Sequence, residues 1–149
     1  MRARVAVPPP RAGCARALTN TPKLPLVARR FGLRLVVQFG STVTGRANQE
    51  SDFDVAVWTS RARKARTLEW SCRLAARLEA ALAPRRELDL VVLDGADPLL
   101  LFMVARDGVP LWQATPTAWA EFSSYAARRF DDTAKFRASR RRWLEAQLA

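Results

Sequence analysis

Phe39-Gly40-Ser41-Thr42-Val43-Thr44-Gly45-Arg46-Ala47-Asn48-Gln49-Glu50-Ser51-Asp52-Phe53-Asp54 is the stretch on which the fold turns. The residues before it, Leu33 to Phe39, are β-branched and apolar and read as a buried strand. Gly40-Ser41 stops that strand abruptly. Thr42 to Ser51 is polar, carries Gly45, and reads as a loop with room for one helical turn. Asp52 to Trp58 then alternates as a second strand. A strand, a tight polar connection and a second strand thus fall within about 25 residues (33–58).

The two acids at the start of the second strand carry the chemistry. Residues two apart on a strand project from one face, so Asp52 and Asp54 point the same way while Phe53, Val55 and Val57 point into a core. Side-by-side carboxylates repel unless a cation holds them. A third strand is expected at Glu87 to Leu93. There Leu88, Leu90 and Val92 form an apolar face and turn Asp89 to the other. Three acids on one sheet face have the donor chemistry for two magnesium ions, the clamp used in phosphoryl and nucleotidyl displacement. Gly40 and Ser41 add backbone N–H groups and a hydroxyl suited to a phosphate, and a glycine lets the chain approach closely. The stretch lacks the Gly-Lys-Ser/Thr of a P-loop.

Composition narrows the alternatives. The chain has 149 residues, room for one ordinary domain, and a hydrophobic fraction of 49% that suits a globular protein. With no histidine and two cysteines, Cys14 and Cys72, it excludes histidine general bases, His-ligated zinc and a disulfide framework. No apolar run has the length of a membrane span, and a reducing cytoplasm is the expected location. The net charge is +11, yet all but three of the 25 basic residues (Lys23, Lys64 and Lys135) are arginine. A GC-rich coding bias accounts for that as well as polyanion binding does, so nucleic acid is a possible but unfavoured partner.

Around this nucleus, residues 1–22 read as an Arg/Ala/Pro-rich tail and residues 23–149 as the folded domain. A short helix is expected at Leu26 to Phe31, closed by Gly32. A long one is expected at Arg61 to Ala83, with Leu68, Cys72, Ala75, Leu78 and Leu82 facing inward. Asp97 to Arg106 forms a helix with Pro98 in its first turn, and Val109 to Gln113 a short fourth strand. A C-terminal helix begins at Thr115-Pro116, its stripe of Trp119, Phe122, Ala126 and Phe130 running on to Trp143, Leu144 and Leu148. Interleaved strands and helices predict an α/β (α+β) fold, a small mixed sheet flanked by helices.

Gly-Ser, ten intervening residues, Asp-Phe-Asp and a later strand aspartate together resemble the nucleotidyltransferase superfamily of the polymerase-β type. The short length and the run Leu-Val-Val-Gln-Phe-Gly-Ser…Ser-Asp-Phe-Asp-Val-Ala-Val look like its minimal nucleotidyltransferases, among them the MNT antitoxins paired with HEPN toxins. That resemblance implies a polymerase-β-like nucleotidyltransferase fold. It implies that Gly40 and Ser41 bind the phosphates of ATP, and that Asp52 and Asp54 ligate two Mg2+ ions. Asp89 would ligate the catalytic ion and help deprotonate the acceptor. It further implies transfer of AMP to a tyrosine hydroxyl of a HEPN-type toxin encoded nearby. One departure stands out. Relatives often carry Ser-Arg-x-Arg-Gly where this chain has Ser41-Thr42-Val43-Thr44-Gly45, leaving Arg46 to substitute as a phosphate ligand. The alternatives are transfer to a small molecule such as an aminoglycoside, and an antitoxin that acts by binding alone.

Overall fold

The computed structural model describes residues 21–46, 51–59 and 67–148. The proposed tail, apart from its last two residues, lies outside the described residues. So do Ala47 to Glu50 of the connecting loop and the first six residues of the expected long helix. The element order is α1 (Leu24–Arg30), β1 (Leu33–Gln38), α2 (Ser41–Thr44), β2 (Phe53–Thr59), α3 (Leu68–Leu82), β3 (Leu88–Val92), α4 (Pro98–Asp107), β4 (Val109–Gln113), α5 (Ala118–Asp132) and α6 (Ala134–Leu148).

The sheet is mixed, in the order β3-β2-β1-β4. β1 is central and pairs antiparallel with β2 and β4, while β2 and β3 run parallel. The parallel pair needs a crossover, and α3 supplies it. Alternation along β1 and β2 splits the core into two layers. Val36, Phe53, Val55 and Val57 pack with Leu24 and Ala28 of α1 and Leu74 and Leu78 of α3. Leu35, Val37 and Ala56 pack on the other side with Leu101 and Val104 of α4 and Ala118, Phe122 and Ala126 of α5. Both faces are therefore covered, and the chemistry is confined to strand ends. Among the described residues no helix is long and apolar enough to cross a membrane.

Three expectations are corrected. First, α3 is rotated: Leu74, Leu78, Ala81 and Leu82 are buried, whereas Leu68 is 81% exposed and Cys72 lies on the surface rather than in the packing. Trp70, edge-on to Phe31 with ring centroids 6.0 Å apart, sets the inward face. Thr67 caps the helix by accepting from the Trp70 N–H at 3.1 Å. Second, the N-cap of α5 is Thr117, not Thr115, and it makes no side-chain bond to the helix backbone. The Gln113 side-chain oxygen instead accepts from the Trp119 N–H, 3.2 Å away. Third, the C-terminal helix is two helices. The Thr133 hydroxyl donates to the carbonyls of Phe130 (3.0 Å) and Arg129 (3.2 Å), and the chain restarts as α6.

Candidate active site

The expected site residues meet where β1 ends and β2 and β3 begin. The Phe39 N–H donates to the Asp54 carbonyl at 3.1 Å, so the chain turns out of β1 directly against the acid-bearing strand. Gly40 follows with φ of +78°, a left-handed conformation that favours glycine. A Cβ placed there would collide with Asp54 Oδ2. Only a bare backbone fits between the loop and this carboxylate, which is a physical demand for glycine that spacing alone did not reveal.

Ser41, half-buried, opens the single turn α2. The threonines that stand where relatives often have arginine brace this turn. Thr42 Oγ1 donates to the Phe39 carbonyl (3.4 Å) and accepts from Gln38 Nε2 (3.3 Å). Thr44 Oγ1 donates to the Gly40 carbonyl at 3.2 Å. Arg46 is exposed just past Gly45, and its N–H closes the turn on the Ser41 carbonyl at 3.1 Å. The threonines hold the loop's shape but bring no positive charge.

Asp54 and Asp89 are paired in register across the parallel strands β2 and β3. In-register neighbours share a face, so the third acid does lie beside the Asp-Phe-Asp pair. Asp54 is half-buried, whereas Asp52 and Asp89 are exposed. Burial, then the negative charges of Asp89 and Asp52, push the Asp54 carboxyl above the usual carboxylate range. None of the three acids forms an ion pair with a basic side chain among the described residues. Nor, among the described residues, do three acidic or thiol side chains already converge into a metal cage. The donor set nevertheless fits magnesium. It is all carboxylate oxygen and carries excess negative charge, the chemistry a hard divalent cation prefers.

Sequence reasoning missed Arg86. Its Nη1 donates to the Ser51 carbonyl at 3.1 Å, and the Phe53 N–H donates to the Glu87 carbonyl at 2.8 Å. These bonds fasten the start of β2 to the start of β3 and so fix the relative heights of Asp52, Asp54 and Asp89. The available signal was a basic residue two positions before the strand that carries the third acid.

A glycine at the end of β1 beside three carboxylates that form no ion pair among the described residues, on a mixed sheet, is the arrangement of a nucleotidyltransferase domain. Residues 25–117 match the family described as Polymerase beta, Nucleotidyltransferase. The chain belongs to that family. Among solved structures it is similar to a toxin-antitoxin described with AMP-PNP, at 26% identity and TM-score 0.65, covering 87% of this chain and 99% of that one. It also shares its fold with a chain of a tri-AMPylated Shewanella oneidensis HEPN toxin in complex with MNT antitoxin (23% identity, TM-score 0.62, 91% and 99% covered). A toxin-antitoxin MntA-HepT is a third such neighbour (24%, TM-score 0.60, 87% and 97%). No curated protein matches the chain by sequence.

Proposed function

We propose that this nucleotidyltransferase moves AMP from ATP to a tyrosine hydroxyl of a HEPN-type toxin encoded beside it, and that the modification makes the chain an antitoxin. The observation that carries this reading is the closeness of Gly40 to the Asp54 side chain, which brings the glycine backbone at the end of β1 against the acid-bearing strand. The nearness in fold to toxin–antitoxin structures, one with AMP-PNP and one with an AMPylated toxin, supports the choice of donor and acceptor.

In this reading Gly40 and Ser41 bind the β- and γ-phosphates and Arg46 adds charge from the far side of the loop. Asp52, Asp54 and Asp89 would hold the magnesium ions, which would supply positive charge against the charge developing on the phosphates. The Asp89 carboxylate takes the proton of the acceptor hydroxyl. The freed oxygen attacks the α-phosphorus, the bond from that phosphorus to the bridging oxygen breaks, and pyrophosphate leaves with the bonding pair. The cytoplasm, where ATP and a partner toxin are both at hand, is the proposed location.

The test is thermal stability. Asp52, Asp54 and Asp89 repel one another until cations arrive, so saturating ATP with magnesium should raise the melting temperature by several degrees. At a hundredfold excess over Kd the stabilisation is about 2.7 kcal/mol. Chelating the metal should cancel the nucleotide's effect, and no response to saturating Mg-ATP contradicts the site assignment.

A further inference from the structure

Helix α6 (Ala134–Leu148) buries no residue. Arg137 fastens it to the body: its guanidinium lies 3.4 Å from the Phe130 ring centroid and donates to the Phe130 carbonyl. Beyond that anchor every described side chain is exposed, with Phe136 at 77%, Trp143 at 61% and Leu148 at 87%. Phe136, Trp143, Leu144 and Leu148, at i, i+7, i+8 and i+12, form one apolar stripe along the helix, interrupted by Arg140 at i+4. The remainder is strongly basic. Lys135, Arg137, Arg140, Arg141 and Arg142 are opposed within α6 by Glu145 alone.

A helix of this length with no packed face is marginal in water. Its charges make matters worse, since Arg137 and Arg141 stand one turn apart and repel. Both the apolar stripe and the cationic flanks are stabilised by the same thing, a second surface that is apolar at its centre and acidic at its edge. We propose that α6 is the docking helix for the partner protein of the toxin–antitoxin reading, on which this proposal rests, and that it lies in an apolar groove with an acidic rim. A protein fits better than a nucleic acid because Leu144 and Leu148 gain from apolar cover and offer nothing to bases or phosphates. The arginines then act mainly on the rate of encounter, and the Trp143–Leu144–Leu148 stripe on the lifetime of the complex.

The experiment uses the full chain and two full-length variants, Arg140→Glu/Arg141→Glu/Arg142→Glu and Trp143→Ala/Leu144→Ala/Leu148→Ala. Each is titrated against the HEPN-type protein encoded beside it, at low and physiological salt. Because α6 buries nothing, all three proteins should melt alike and respond alike to Mg-ATP. Partner affinity should fall at least tenfold in each variant, through slower association in the first and faster dissociation in the second. Binding by both variants within twofold of the parent overturns the docking role while the toxin–antitoxin reading stands. If the parent responds to Mg-ATP but does not bind the partner, both fall. If instead the parent binds a short single-stranded RNA, and the arginine variant loses RNA but keeps the partner, the helix is a nucleic-acid element and the proposal is wrong.

Discussion

The two ends of the β2–β3 pair handle acids in opposite ways. At the far end Asp94 is fully occupied: Thr59 donates to it through both its backbone N–H and its hydroxyl, each at 3.0 Å. That acid ties the end of β2 to the turn after β3. At the near end Asp54 and Asp89 lie side by side in register with no basic side chain among the described residues to neutralise them, and Asp52 adds to the charge. A carboxylate held by donors contributes to folding, because losing it strands the donors. A carboxylate set among other carboxylates costs folding energy and persists only where something else selects it. The contrast supports a structural duty for Asp94 and agrees with the chemical duty proposed for the near-end trio.

The largest expected effect comes from neutralising the near end. Asp54→Asn should lower AMP transfer by about a thousandfold, the scale set by several kcal/mol of lost charge stabilisation. It should leave the unliganded melting temperature unchanged or slightly higher, since a repulsive charge has been removed. The check is labelled AMP incorporation beside a thermal melt. An Asp54→Asn protein that transfers normally, or that unfolds, would make the two ends alike.

Gly40→Ala should come next, and it damages both properties. The left-handed φ costs about 1–2 kcal/mol for a residue with a Cβ, and the added methyl cannot coexist with Asp54 Oδ2 where it now stands. Stability and transfer should fall together, measured by denaturant unfolding and by the same labelling assay. Unchanged transfer would show that the loop is not pressed against the acid during catalysis.

The smallest effect on chemistry belongs to the far end. Asp94→Ala leaves the donors of the buried Thr59 without these acceptors and should cost about 1–3 kcal/mol of stability. Transfer per folded molecule should stay within about twofold of the parent, read at a temperature where both are folded. A selective loss of transfer would break the division of labour between the ends.

Much of this was legible in the sequence because strand alternation is a local property. Leu33 to Phe39 and Asp52 to Trp58 reveal their faces one residue at a time, and the in-register Asp54–Asp89 pair follows once Leu88, Leu90 and Val92 are turned inward. What was not legible depended on distant partners. The rotation of α3 is set by Trp70 meeting Phe31, a contact between residues 39 positions apart that no periodicity within the helix encodes. Leu78 and Leu82 belong to both the expected and the observed stripe, so spacing alone could not choose. The break between α5 and α6 has a local cause, the Thr133 hydroxyl bonding back to two carbonyls, but the apolar stripe runs through it and masked it. The closeness of Gly40 to Asp54 needed three dimensions, although the glycine itself was evident. The duty of Thr42 and Thr44 as braces was likewise invisible until their acceptors were known.

The central claim is that the near-end acids and the Gly40-Ser41 loop form a nucleotidyl-transfer site acting on a protein. Its most direct test is the intact mass of the neighbouring HEPN-type protein after incubation with this chain, ATP and magnesium. The partner should gain one or more AMP units, mapped to tyrosine, and should gain none with the Asp54→Asn chain or without the metal. A stable complex with no added mass under any condition would contradict transfer and leave an antitoxin that works by binding alone.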